Sequence, residues 1–103
     1  MAETRRQFVA FVKRECPTCA LVVPVLTELA SCLDLTVVSQ DDPTFPPDLP
    51  VTGDTDLDLS WQHRIETVPT LLRLRDGVEE QRAIGWHREE WVQLTGVRDL
   101  GGN

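Results

Sequence analysis

Two cysteines three residues apart, Cys16-Pro17-Thr18-Cys19, follow the apolar run Phe8-Val9-Ala10-Phe11-Val12 and open a helical pattern. A strand that hands over to a helix at a dithiol is a narrow constraint on fold. The spacing lets the two sulfurs close a disulfide across the first helical turn. The first sulfur then sits at the positive end of the helix dipole, which favours thiolate over thiol. The residues themselves therefore point to thiol–disulfide exchange in a small α/β domain.

The length of 103 residues sets one domain, 1–103, with enough chain for a single core. No stretch approaches the ~20 apolar residues of a membrane span. The apolar run after Arg5-Arg6 is cut short by Lys13-Arg14-Glu15, so it reads as a first strand and not as a signal peptide, and a cytoplasmic location is the expectation. A formal net charge of −7 argues against nucleic acid and anionic membranes as partners. Three cysteines cannot make a disulfide framework. A close pair plus a distant thiol reads as a redox or metal motif.

The period changes along the chain. Gln7 to Val12 reads as a strand. Leu21, Val22, Val25, Leu26, Leu29 and Leu33 then recur as one buried helix face, with Pro17 in the first turn and Pro24 kinking the interior. Leu33 to Ser39 reads as a central strand. Gln40 to Thr55, with Pro43, Pro46, Pro47, Pro50 and Gly53, reads as an extended acidic loop without an element of its own. A short helix from Asp56 to Arg64 is expected to turn Leu57, Trp61 and Ile65 inward. Thr70 to Arg75, Asp76-Gly77 and Val78 to Ile84 form a hairpin. A last helix, His87 to Thr95, buries Trp91 and Leu94, and from Gly96 a frayed tail covers about 97–103. The expected fold class is α/β: a mixed four-stranded sheet in the order β-α-β-α-β-β-α, with helices on both faces.

On these landmarks the chain resembles the thioredoxin-like family. Cys16-Pro17-Thr18-Cys19 stands at the family's Cys-x-x-Cys position, and Pro24 falls where thioredoxins kink the first core helix. Thr67-Val68-Pro69-Thr70 is similar to the segment that carries the family's cis-proline, and Gly85 lies at the matching distance before the last helix. Pro69 to Gly77 is thioredoxin-like residue by residue. The chain also departs from the family. Glu15 replaces the tryptophan before the first cysteine, Ala10 replaces the buried carboxylate, and the opening strand and helix of full-length thioredoxins have no counterpart ahead of Cys16.

The resemblance implies a thiol–disulfide oxidoreductase with Cys16 as nucleophile and Cys19 as resolving thiol, without a cofactor or metal. It implies a substrate groove formed by Pro17, Thr18, Val68, cis-Pro69 and Trp86. Its partners would be a disulfide-containing protein or a small thiol substrate, with a reductase or thiol donor, and the chain would act as a monomer. Two other readings stand beside it: a redox-inactive interaction module on the same fold, and a metal site built from Cys16, Cys19 and Cys32 with a histidine. Cys32 itself reads as a buried inert thiol, His63 and His87 as surface or helix-end residues, and Trp61, Trp86 and Trp91 as core or groove wall. The acidic loop reads as a solvated connection, while its position beside the site allows a partner-binding role.

Overall fold

A continuous apolar run makes both faces of the first strand apolar, and the computed structural model, which describes residues 6–100, builds on both faces. The expectations for residues 1–5 and 101–103 lie outside the described residues. Strand β1 (Arg6–Val12) sends Phe8, Ala10 and Val12 to one side and Val9 and Phe11 to the other. It is followed by helices α1 (Pro17–Leu21) and α2 (Val23–Cys32), strands β2 (Leu35–Ser39) and β3 (Val51–Gly53), and helix α3 (Asp58–Gln62). The hairpin β4 (Thr70–Arg75) and β5 (Val78–Ile84) and helix α4 (Arg88–Thr95) complete the order.

The sheet runs β3-β2-β1-β4-β5. β1 pairs parallel with β2 and antiparallel with β4, β2 pairs parallel with β3, and β4 pairs antiparallel with β5. On one face, Val25, Leu26 and Leu29 of α2 and Trp91 and Leu94 of α4 close over Phe8, Ala10, Val37, Leu71 and Ala83. On the other, Leu59 and Ile65 pack over Phe11, Val38, Leu72 and Leu74. The mixed sheet with helices on both faces is as expected, and so is the break at Pro24. Pro24 has no amide to give the carbonyl of Ala20, and the helix divides at Val22, whose amide is shared between the carbonyls of Thr18 and Cys19 at 3.2 Å each.

Three expectations are corrected. Among the described residues the sheet has five strands, not four, because Val51–Gly53 inside the acidic loop pairs with Val37–Ser39. Three residues after a proline give no periodic signal, and the strand forms because the edge of β2 offers it a ladder. The loop folds back tightly enough that a Cβ on Gly53 would meet Pro43 Cβ at 3.2 Å.

The inward face of the short helix is also different. Trp61 is 84% exposed and Leu57 is exposed, while Leu59 and Ser60 face the sheet. Asp54 sets this rotation, since its carboxylate accepts from the amides of Leu59 and Ser60 at 2.9 Å each and from the Ser60 hydroxyl at 2.7 Å. Leu57 is left outside the helix at φ 62°.

Finally, the tail does not fray from residue 97. Gly96 ends α4 in the left-handed conformation at φ 78°, but Leu100 is fully buried, and its carbonyl accepts from Arg88 Nε at 2.7 Å. A single leucine between polar residues and glycines carries no period, so only its docking site reveals it. Among the described residues, no helix is long and apolar enough to cross a membrane.

Two outcomes follow for stability. Leu100→Ala should cost about 2–5 kcal/mol in urea denaturation, the range for emptying a core leucine site, where a frayed tail would show no change. Asp54→Ala should cost about 2 kcal/mol at neutral pH, because it orphans the start of α3. Burial pushes the Asp54 carboxyl up, but the Ser60 hydroxyl and the amides of Leu59 and Ser60 outweigh it and hold the group below its ordinary value. Its contribution is therefore complete above the unfolded-state value of about 3.9. It is lost as pH falls through the lower native value, so wild type and Asp54→Ala should converge in acid.

Candidate active site

The site starts where β1 runs out. Lys13, Arg14 and Glu15 turn the chain, with the Cys16 amide bonded back to the Lys13 carbonyl at 3.2 Å, and α1 begins at Pro17. Cys16 is the residue ahead of the helix, with extended backbone (φ −107°, ψ 114°), and its sulfur caps the first turn by accepting the Cys19 amide at 3.3 Å. A thiol here fills the place usually taken by a serine or aspartate oxygen. The partly buried Cys16 S–H also donates to the Val68 carbonyl at 3.8 Å.

Cys19 lies one turn on and is fully buried among Ala10, Val12 and Val22. Both are free thiols. Burial above all, then the hydrogen bond to Cys16, pushes the Cys19 thiol up to about 12, and the negative charge of Asp41 adds to the rise.

Val68 reaches the thiols from the opposite side. The Val68–Pro69 peptide is cis, as the resemblance implies. The Thr67 carbonyl is occupied by the Thr70 hydroxyl at 2.7 Å, and the next carbonyl, that of Val68, is the one beside Cys16. The Pro69 carbonyl accepts the Gly85 amide at 2.7 Å, and the Gly85 carbonyl accepts Trp91 Nε1 at 2.9 Å. Trp86 stacks edge-on against Trp91 with ring centroids 5.0 Å apart. A buried tryptophan thus steadies the Val68–Pro69 segment through Gly85. Of the sequence-derived candidates, Cys16 is hydrogen-bonded to both Cys19 and Val68, Pro69 is tied to Gly85, Trp86 stacks on Trp91, and Pro17 and Thr18 form the helix start between the thiols.

The near end of the acidic loop meets the site through Asp41, a residue that nothing in the sequence singled out. Asp41 Oδ1 accepts the Arg14 amide at 2.8 Å, and Oδ2 accepts the Glu15 amide at 3.0 Å. Arg14 also pairs with Asp42 at 2.8 Å. Thr44, through its hydroxyl and amide, and then Arg14 hold the Asp42 carboxyl down to about 2. The only signal in the sequence is the turn chemistry of Asp41-Asp42-Pro43, which tells of a bend but not of a partner 27 residues away.

Cys32 is exposed, not buried. The buried face of α2 steps from Leu29 towards Leu33 and leaves Cys32 outside, its S–H bonded to the Glu28 carbonyl at 3.4 Å. His87 precedes α4, and His63 lies against the Phe11 ring. Among the described residues, no three His, Cys, Asp or Glu side chains are grouped to hold a metal ion.

No family model and no curated protein matches the sequence. Solved structures do. The exposed lipoprotein thioredoxin of Streptococcus pneumoniae strain TIGR4 is 15% identical and superposes with a TM-score of 0.72 over 90% of this chain and 85% of that one. The short form of spinach chloroplast thioredoxin f is 15% identical, with a TM-score of 0.67 over 90% of this chain and 75% of that one. Mitochondrial thioredoxin 3 of Saccharomyces cerevisiae, in its oxidised form, is 18% identical, with a TM-score of 0.65 over 91% of this chain and 79% of that one. At these identities the likeness is one of fold.

The geometry separates the three thiols by reactivity. Brief alkylation of the native protein near neutral pH should label Cys16 and Cys32 and spare Cys19. Labelling of Cys19 should rise about tenfold per pH unit while the pH stays well below 12, since only its thiolate reacts. Peptide mass mapping reads all three positions in one experiment.

Proposed function

We propose that this thioredoxin-fold chain is a thiol–disulfide oxidoreductase working through the Cys16/Cys19 dithiol. The observation that carries the reading is the pairing of a partly exposed sulfur at the head of a helix with a fully buried one directly behind it. The first is accessible to a substrate and hydrogen-bonded by an amide. The second is shielded until the first has reacted.

The steps follow from that arrangement. The Cys16 thiolate attacks one sulfur of a substrate disulfide, a mixed disulfide forms, and the other substrate sulfur leaves as a thiolate that takes a proton from solvent. Cys19 then loses its proton and attacks the Cys16 sulfur. The Cys16–Cys19 disulfide forms and the second substrate thiolate departs. Two protein thiols are oxidised and one substrate disulfide is reduced. A reductase or a small thiol donor would return the dithiol, which suits a reducing cytoplasm. No cofactor is needed for these steps.

The second step is the demanding one. Thioredoxins, as the resemblance describes them, keep a buried carboxylate where this chain has Ala10, and Ala10 and Cys19 share one core cluster here. Without that base, the proton of Cys19 must pass to a base arriving from solvent, and burial holds it tightly. Substrate binding falls to Pro17, Thr18, Val68, Pro69 and Trp86. Thr67 and Thr70, on either side of the Val68–Pro69 segment, line a hollow of about 490 Å³ together with Arg64, Glu66, Arg82 and Ile84.

The test is equilibration in defined thiol–disulfide buffers, alkylation of free thiols and intact-mass measurement, with Cys16→Ser and Cys32→Ser alongside. A reversible two-electron step between about −270 and −120 mV, lost in Cys16→Ser and kept in Cys32→Ser, is the expected result. If no Cys16–Cys19 disulfide forms, the chain is a redox-inactive interaction module on the same fold.

A further inference from the structure

The turn that delivers Cys16 has little internal support. Within it the Cys16 amide bonds to the Lys13 carbonyl, and the amides of Arg14 and Glu15 are satisfied from elsewhere. Their acceptor is one carboxylate. Asp41 takes the Arg14 amide on Oδ1 and the Glu15 amide on Oδ2, while Oδ1 also accepts its neighbour's amide, that of Asp42, at 2.7 Å and the Ser39 hydroxyl at 3.4 Å.

Asp41 is itself anchored. It follows β2, whose last pair joins Val12 to Ser39, and the Gln40 amide bonds to the Val12 carbonyl at 2.9 Å. The Gln40 side chain reaches Ser60 at 2.9 Å, and Ser60 is held by Asp54. Hydrogen bonds thus tie Gln40 to the start of α3 and its chain neighbour Asp41 to the residue before the thiol.

We propose that Asp41 is a positioning residue for Cys16: its carboxylate clamps the Arg14–Glu15 backbone and so fixes the thiol at the head of α1 and against the Val68 carbonyl. The proposal rests on the exchange reading of Cys16. Burial would push the Asp41 carboxyl up, and the amides of Arg14, Glu15 and Asp42 outweigh it, so the clamp is charged at neutral pH. The neighbouring Arg14–Asp42 ion pair is exposed, with 65% of the Arg14 side chain open to solvent, and adds little of its own. The clamp grips backbone, so the identity of residues 14 and 15 matters less to it than the presence of Asp41.

The experiment measures the rate at which Cys16 exchanges with a small aromatic disulfide at neutral pH, with Cys32 in the same molecule as an internal reference, by peptide mass mapping. Asp41→Ala should slow Cys16 about tenfold and leave Cys32 unchanged, because a loosened turn lets the sulfur wander from its cap. Asp41→Asn keeps the Oδ1 acceptor for Arg14 and Asp42 and should recover part of the rate. It also carries the test if the alanine variant does not fold. Arg14→Ala removes the ion pair but not the clamped amide and should stay within about twofold of wild type.

The proposal is overturned if Asp41→Ala leaves the Cys16 rate within about twofold of wild type, or if Arg14→Ala slows it as much as Asp41→Ala does. Wild-type Cys16 reacting no faster than Cys32 would instead remove the exchange reading, and the proposal with it.

Discussion

The pairing of β1 on both sides is the constraint from which the rest of this structure follows. Among the described residues β1 is the one strand that has a parallel neighbour, β2, on one edge and an antiparallel neighbour, β4, on the other. Parallel pairing with β2 obliges the chain to cross back over the sheet, and α1 and α2 are that crossing. Antiparallel pairing with β4 brings the start of β4 beside the end of β1, with Phe11 opposite Thr70. The thiols at the head of the crossing helix and the Val68–Pro69 segment at the head of β4 therefore meet at one end of the sheet. Neither could be moved without changing the order of strands.

Both ends of the acidic loop do a similar job with an aspartate. Asp41 holds the turn before Cys16, and Asp54 holds the first turn of α3, each by accepting backbone amides. Gln40 and Ser60 join the two across the end of the sheet. Much of the negative charge of this segment is thus engaged in organising backbone, and its prolines and close approach at Gly53 stiffen the path between the two anchors.

What could be read from the sequence was periodic or local. Val25, Leu26 and Leu29 share a helical face because their spacing demands it, and the Asp76-Gly77 turn sets the hairpin between Thr70–Arg75 and Val78–Ile84. The Cys-x-x-Cys placement at a strand-to-helix junction is where the sequence put it, between β1 and α1. What stayed hidden depends on partners far along the chain. β3 exists because β2 has a free edge, Trp61 faces outward because Asp54 rotates α3, and Leu100 is buried because the far side of α4 leaves it a place. Asp41 was hidden for the same reason, since a carboxylate that binds two distant amides looks in sequence like any other acidic loop residue.

The zero exposure of Cys19 has a consequence for how electrons can travel. Under the exchange chemistry proposed above, the dithiol would store two electrons behind a single port, the partly exposed Cys16 sulfur. A donor and an acceptor would then have to use that one sulfur in turn, and a slow visitor of either kind would block the other. Traffic through such a site would be ruled by queueing at one atom as much as by potential.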